Sequence, residues 1–287
     1  MNTILINNIE EIKKNIREWK KENTKIGLVP TMGALHKGHA SLIETAKKTC
    51  DKVVVSVFVN PIQFGPNEDF DKYPRTIEND LELCKKLGVD IVFAPTPKEM
   101  YGENTKLSNT ELTFVCPPYN LVDCLCGKAR PGHFDGVATV VLKLFNIVKP
   151  DYAFFGQKDA QQLFILKKMV KDLNIDLTIV PCPIVRETDG LALSSRNTYL
   201  SKNERENALT ISKALKEIEK LYNSGTVDTN ILFDAGFSIL NPNIELEYLE
   251  FRDFETFEKI HTARKNTLVA IAAKSGKTRL IDNIILG

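Results

Sequence analysis

Ile26-Gly-Leu-Val-Pro-Thr-Met-Gly33-Ala-Leu-His36-Lys-Gly38-His39-Ala-Ser-Leu-Ile-Glu-Thr-Ala-Lys-Lys-Thr-Cys50 passes from an apolar run through a glycine-bearing turn into a stretch of helical periodicity. The run Ile26–Val29 is apolar along its whole length, the mark of a strand buried on both faces, as in a parallel sheet. The same alternation repeats outward. Further β-rich runs lie at Val53–Val59, Val89–Ala94, Tyr152–Phe155 and Leu177–Val180, and helical stretches at Ala40–Cys50, Ile77–Leu87, Val137–Val148 and Gln161–Leu173. Repeated strand–helix–strand units predict an α/β fold, a Rossmann-like, doubly wound parallel sheet.

The pattern changes after about Pro183. Ser201-Lys-Asn-Glu204 reads as a capping box that opens a helix running to about Tyr222. Ile244–Phe251, Thr267–Ala273 and Arg279–Leu286 are β-rich with no long helix between them, which predicts a smaller C-terminal α+β domain with an antiparallel sheet. The expected division is 1–185 and 186–287, with a hinge near Arg186–Leu191. A cleft between such domains is a natural ligand site.

Composition narrows the function. With 287 residues, 43% hydrophobic and 26% charged, the chain has ample material for a core. Its 38 Lys+Arg balance 37 Asp+Glu to a net charge of +1, so nothing draws it generally to nucleic acid or anionic membrane, and phosphate binding must be local. No run reaches the ~18 apolar residues of a membrane helix. The N-terminus lacks the basic start and apolar stretch of a signal peptide, so a cytoplasmic location is expected by elimination. The six cysteines match no zinc spacing, and Cys124-Leu-Cys126 is one residue short of a Cys-x-x-Cys pair; they read as reduced and mostly packed.

In open α/β sheets, ligands bind beyond the carboxyl ends of the strands, and the polar features of this chain gather there. After the first strand, Gly33 and Gly38 let the backbone approach a ligand, and the helix that follows favours phosphate at its N-terminus. Gly33-x4-Gly38 imitates half a P-loop, but His39 stands where that motif requires Lys. No His-Glu-x-x-His accompanies the two histidines, so they read as a ligand-facing pair rather than metal ligands. Asn60-Pro-Ile-Gln63-Phe64-Gly65 follows the second strand. Its Gln63 can donate and accept, which suits a hydroxyl- or carboxylate-bearing substrate; a solvated turn is the plain alternative.

After the fourth strand, Gly156-Gln157-Lys158-Asp159-Ala160-Gln161-Gln162 places a lysine to neutralise phosphate and an aspartate to cap a helix, and this strand is expected to neighbour the first. Leu193-Ser194-Ser195-Arg196-Asn197 supplies hydroxyls and a guanidinium for phosphate, and lacks the spacing of a nucleophilic serine. Gly127-Lys128-Ala-Arg130-Pro-Gly132-His133-Phe134-Asp135-Gly136 reads equally as an anion-facing loop or a subunit contact.

Pro-Thr-Met-Gly-Ala-Leu-His-x-Gly-His, Asn-Pro-x-Gln-Phe, Phe-Gly-Gln-Lys-Asp-x-Gln-Gln and Leu-Ser-Ser-Arg-Asn, in this order, resemble the pantothenate synthetase (pantoate–β-alanine ligase) family of the His-x-Gly-His nucleotidyltransferases. The resemblance implies a homodimeric ligase of pantothenate biosynthesis, on the way to coenzyme A. The carboxylate of (R)-pantoate attacks the α-phosphorus of ATP, giving pantoyl adenylate and pyrophosphate; the β-alanine amine then displaces AMP. It further implies that Met32, Gly33, Ala34, Leu35, His36, Lys37, Gly38, His39, Gly156, Gln157, Lys158, Asp159, Val185, Leu193, Ser194, Ser195 and Arg196 bind ATP. His36, His39, Lys158, Ser194 and Arg196 would be the catalytic set, with His39 the family's proposed proton donor. Asn60, Gln63, Gln162 and Arg130 would bind substrate, and Mg²⁺ would arrive with ATP.

Three other readings stay open. A nucleotidyltransferase of the same superfamily adenylating a phosphorylated cosubstrate predicts a basic acceptor pocket, against the neutral Gln63/Gln162 pair. A class I tRNA synthetase fits poorly with the neutral charge and the lack of an RNA-binding domain. A non-catalytic nucleotide sensor would bind ATP without turning it over.

Overall fold

The computed structural model describes residues 3–66, 68–102 and 112–287. They form two compact units, Met1–Gly156 with Gln162–Cys182, and Gln157–Gln161 with Pro183–Gly287. The first unit holds strands β1 (Ile4–Ile6), β2 (Ile26–Thr31), β3 (Lys52–Val57), β4 (Ile91–Phe93), β5 (Tyr152–Gly156) and β6 (Thr178–Cys182) in one sheet of order β1-β4-β3-β2-β5-β6. Every pairing is parallel.

The helices along the chain are α1 (Ile9–Lys21), α2 (Lys37–Thr49), α3 (Ile77–Lys86), α4 (Pro97–Tyr101), α5 (Tyr119–Val122), α6 (Leu125–Ala129), α7 (His133–Val148) and α8 (Ala160–Asp172). Val53, Val54 and Val55 are all fully buried, because the sheet is covered on both faces. Each such side chain contributes about 1.5–3 kcal/mol, which is why an unbroken apolar run is stable here and would not be on a half-exposed sheet. Strand order turns back between β2 and β5, which pair through Leu28 and Ala153. That switch point sets the crevice where ligands bind in such sheets.

The expected α/β sheet is therefore present, and β5 lies beside β2 as the sequence suggested. Two N-terminal elements went unread. Strand β1 is only three residues long, exposes Ile4 and Leu5, and pairs with β4 alone, so it carries no strong apolar run. Helix α1 is mostly charged, but Asn8 caps it by accepting from the N–H groups of Glu10 and Glu11, and Ile12 and Ile16 anchor it at i,i+4. Helix α7 also starts four residues earlier than expected, at His133.

The second unit contains α9 (Lys202–Asn223), α10 (Thr229–Ile239) and an antiparallel sheet of β7 (Ile244–Asp253), β8 (Thr267–Ser275) and β9 (Thr278–Leu286) in that order. Ser201 and Glu204 form the predicted capping box. Ile211, Leu215 and Ile218 of α9 pack with Leu232 of α10 and with Leu249, Phe251, Val269 and Ile271 of the sheet. Helix α10 was not anticipated.

Residues 157–161, expected with the first domain, belong to the second unit because Asn283 of β9 donates from Nδ2 to the carbonyls of Gln157 and Lys158, both at 3.0 Å. The segment Arg186–Leu191, expected as a hinge, is a hydrogen-bonded hairpin. Arg186 grips Asp282 at 2.6 and 2.9 Å, and Arg205 grips Glu187 and Asp189 at 2.7 and 2.6 Å. The chain changes unit ahead of it, at Cys182–Pro183. All six cysteines are free; five are buried and Cys116 is exposed, in keeping with the expectation that most are packed. No helix among the described residues is long and apolar enough to cross a membrane.

Candidate active site

The turn Met32–His36 leaves the carboxyl end of β2 at the switch point and delivers the chain to the N-terminus of α2. Both histidines of the motif serve as helix caps. His36 Nδ1 accepts from the Gly38 N–H at 3.1 Å, and His39 Nδ1 accepts from the His36 N–H at 3.3 Å. A ring nitrogen that accepts carries no proton, so these hydrogen bonds assign each neutral imidazole to the Nε2–H tautomer. The two rings lie 4.1 Å apart between centroids. Two Nε2–H donors thus stand beside the positive end of a helix dipole, an arrangement suited to phosphate oxygens.

The turn itself is strained and held from outside. Gly33 has φ +84 and Ala34 φ +50. An alanine in that region costs about 1 kcal/mol, so something must hold it there. That something is Asp80 on α3, a carboxylate only 1% exposed. Its Oδ2 accepts from the Ala34 N–H at 3.0 Å and its Oδ1 from the Leu35 N–H at 2.7 Å. A Cβ on Gly33 would lie 3.0 Å from both Asp80 Oδ2 and Val57 Cγ1, a tight fit that adds to the preference for glycine set by φ. Nothing in the sequence marks Asp80, which reads as one more acid in the first turn of a helix.

The second cluster follows β3, where Asn60 precedes a single 3₁₀ turn, Pro61–Gln63. Asn60 Nδ2 donates to Gln63 Oε1 at 2.9 Å, and Gln63 Nε2 reaches Met32 Sδ at 3.3 Å. The structure thus joins the Asn60/Gln63 cluster to the histidine-bearing turn. Gln162 is half-buried on the first turn of α8.

Arg130 is paired with an acid of this chain: its Nε and Nη2 each bind a carboxylate oxygen of Glu68 at 2.6 Å, a bidentate ion pair. Burial alone would raise the Glu68 carboxyl, but the hydrogen bonds and charge of Arg130 outweigh it and hold the group below its ordinary value. Arg130 Nη1 also lies 2.9 Å from His133 Nε2, and His133 Nδ1 lies 2.8 Å from the Gln63 carbonyl. A guanidinium only donates and a carbonyl only accepts, so His133 is the Nδ1–H tautomer bridging the two. Glycines 127 and 136 of this loop allow close backbone packing. A Cβ would lie 2.2 Å from the Val122 carbonyl oxygen in the first and 2.4 Å from that of Ile62 in the second.

In the second unit, Lys158 sits half-buried on the 3₁₀ turn Gln157–Asp159, with Asp159 beside it. Val185 and Leu193 face each other across the hairpin, the Leu193 N–H donating to the Val185 carbonyl at 3.0 Å. Ser194 then caps a second 3₁₀ turn, Ser195–Tyr199, its Oγ accepting from the Arg196 N–H at 3.3 Å. Hairpin and cap together fix the Leu193–Arg196 backbone, so this predicted ligand segment is preformed. Among the described residues, no group of three or more His, Cys, Asp or Glu side chains is placed to hold a metal ion.

A parallel sheet with a histidine-capped helix N-terminus at its switch point defines an α/β nucleotide-binding enzyme. Residues 4–285 match the family model of pantoate-beta-alanine ligase. The chain is 55% identical over 282 residues to the pantothenate synthetase of Clostridium novyi (strain NT), covering 98% of this chain and 97% of that one. It superposes on the crystal structure of pantothenate synthetase from Thermus thermophilus with a TM-score of 0.91, at 39% identity and with 98% and 99% of the two chains covered. It likewise matches the pantoate-beta-alanine ligase of Francisella tularensis, complexed with beta-gamma ATP and beta-alanine, with a TM-score of 0.80 at 36% identity and 99% and 98% coverage. The chain belongs to the pantoate–β-alanine ligase family.

Proposed function

We propose that this protein condenses (R)-pantoate with β-alanine, using ATP and passing through pantoyl adenylate, with release of pyrophosphate and then AMP. Family membership along nearly the whole chain supports the reaction. The observation that carries the residue assignment is the pair of histidine caps, which spend both Nδ1 atoms on the backbone and leave Nε2–H as the donor of each ring. A carboxylate is already a nucleophile, so adenylation needs no general base. It needs alignment and donors aimed at the phosphates as charge moves toward pyrophosphate.

In this reading Met32–His39 takes the phosphates, with His36 and His39 each donating a hydrogen bond from Nε2–H, His39 to the departing pyrophosphate. Lys158 neutralises phosphate charge, Gly156, Gln157 and Asp159 line the nucleotide site, and Val185 with Leu193–Arg196 completes it. Asn60, Gln63 and Gln162 hold pantoate, and Arg130 acts through the Gln63 loop that it braces. Mg²⁺ enters on the nucleotide, where it would offset phosphate charge while keeping much of its own water. A homodimer in the cytoplasm completes the proposal, on the strength of the family resemblance; the mass in solution checks the dimer.

The test is pyrophosphate release with ATP and Mg²⁺. Pantoate alone should give a single turnover of pyrophosphate, and β-alanine should then give steady AMP and pantothenate. Lys158→Ala and His39→Ala should each slow the first turnover by about tenfold or more in folded protein. Absence of pantoate-dependent pyrophosphate from folded protein would return the substrate to the wider superfamily, and near-normal rates in both variants would refute the site.

A further inference from the structure

Tyr101, the last residue of α4, stands at the head of a buried chain of side-chain hydrogen bonds that ends at Gln63. Its hydroxyl donates to Asn60 Oδ1 at 2.6 Å, and Asn60 Nδ2 donates to both Gln63 Oε1 at 2.9 Å and the Gly136 carbonyl at 3.2 Å. Tyr101 is 8% exposed, Asn60 1% and Gln63 8%, so protein groups rather than bulk water set the polarity of the chain.

The direction of every bond follows from one atom. The Gly136 carbonyl can only accept, so it must face Asn60 Nδ2; turning the Asn60 amide over would set two oxygens against each other. Asn60 Oδ1 is then left toward Tyr101, which must donate. Gln63 Oε1 is consumed by Asn60, and turning the Gln63 amide over would set two NH₂ groups together. The outward atom of Gln63 is therefore Nε2, and its partner is the thioether of Met32, a weak acceptor that a substrate oxygen readily replaces.

The backbone at this place leaves no slack, because a Cβ on Gly136 would lie 2.4 Å from the Ile62 carbonyl oxygen and 2.7 Å from Gln63 Cα. Lys143 Nζ sits 5.5 Å over the Tyr101 ring, within cation–π range. Burial pushes the Tyr101 phenol well above its ordinary value, so the proton it donates stays in place.

We infer that Tyr101 is a positioning residue which, through Asn60, fixes Gln63 with its N–H donors toward the acid substrate. The site thereby selects, at this position, a ligand oxygen that accepts: a carboxylate or the lone pair of a hydroxyl. The inference rests on the assignment of Gln63 to the acid substrate made above.

The experiment is steady-state kinetics of the wild type, Tyr101→Phe, Gln63→Ala and the double variant, with pantoate and ATP varied in turn. Tyr101→Phe keeps the ring and removes only the donor. Each single variant should raise the KM for pantoate by about tenfold while the KM for ATP stays within about twofold, and the double variant should be no worse than Gln63→Ala. A raised pantoate KM in Gln63→Ala but not in Tyr101→Phe overturns the relay and leaves the Gln63 assignment standing. No change in Gln63→Ala removes that assignment and the relay with it. Equal losses for both substrates in Tyr101→Phe, or additive losses in the double variant, would mean a merely structural tyrosine and also overturn the inference.

Discussion

Asp80 lies closer to Leu35 than either histidine of the His-x-Gly-His motif lies to its backbone partner: carboxylate to N–H, 2.7 Å, across 45 residues of sequence. With its second oxygen on the Ala34 N–H, the same carboxylate satisfies two consecutive amides of a turn whose φ values are positive. Charge-assisted hydrogen bonds of this kind are worth about 1.5–3 kcal/mol each, enough to outweigh the roughly 1 kcal/mol that Ala34 loses to its backbone conformation. Asp80→Ala should therefore release the turn, raising the KM for ATP by about tenfold or more while α3 persists. Asp80→Asn should recover little, since one of its two polar atoms is an NH₂ facing a backbone N–H. Kinetics that distinguish neither variant from wild type would show that the turn holds itself.

The two histidines permit a separation of cap from chemistry. Asparagine is a good helix cap, and His36 already has the extended backbone that a cap needs. His36→Asn should keep stability within about 0.5 kcal/mol of wild type, whereas His36→Ala should lose about 1 kcal/mol. Both lack Nε2–H, so both should slow adenylate formation by a similar factor, about tenfold or more. Thermal melts beside single-turnover pyrophosphate release decide this. An active, stable His36→Asn would mean that the imidazole serves the helix alone.

Much of this was open to the sequence, for a definite reason. The runs at β2, β3 and β5 are apolar at nearly every position because both faces of the sheet are covered, and that signal is local. The residues proposed for the site, His36, Gln63 and Lys158, lie at the strand ends next to those runs and are legible for the same reason. What could not be read depends on partners remote in sequence. Asp80 is 45 residues from Leu35, Arg130 is 62 from Glu68, and Asn283 is 125 from Lys158. Each of these residue types is ordinary on a surface, and only the fold gives it one atom to hold. Arg130 illustrates this: its loop reads equally as an anion-facing loop or a subunit contact, and nothing local in the sequence points to its pairing with Glu68.

The Glu68–Arg130 pair also sets an acid limit. The Glu68 carboxyl is held below its ordinary value of 4.5 in the folded protein. A lowered folded value means that the pair's stabilisation is complete above the unfolded value and is lost as pH falls through the folded one. The stability difference between wild type and Glu68→Gln should therefore be constant above about pH 4.5 and shrink below it. Both side chains are partly exposed, so the difference is modest, about 1 kcal/mol. Because Arg130 and His133 reach the Gln63 carbonyl from this pair, Glu68→Gln should also raise the KM for pantoate more than that for ATP. Urea melts at several pH values, with kinetics at neutral pH, test both halves.

The last prediction concerns how Lys158 is placed. Its turn, Gln157–Asp159, is tied into the second unit through two carbonyls bound to one amide group, that of Asn283, which is 2% exposed on β9. The neighbouring Asp282 is itself held by Arg186, so the same stretch of β9 anchors both the lysine turn and the hairpin that leads to Ser194–Arg196. Asn283→Ala removes both donors and should lower the rate of adenylate formation by about tenfold without touching any group that meets the nucleotide. Asn283→Asp keeps the shape but turns a carboxylate oxygen toward two carbonyl oxygens, an arrangement with no donor at all. It should therefore be worse than alanine in both rate and melting temperature. If aspartate and alanine behave alike, and both like wild type, the lysine turn is not held from β9, and the positioning of Lys158 must come from its own stretch of chain.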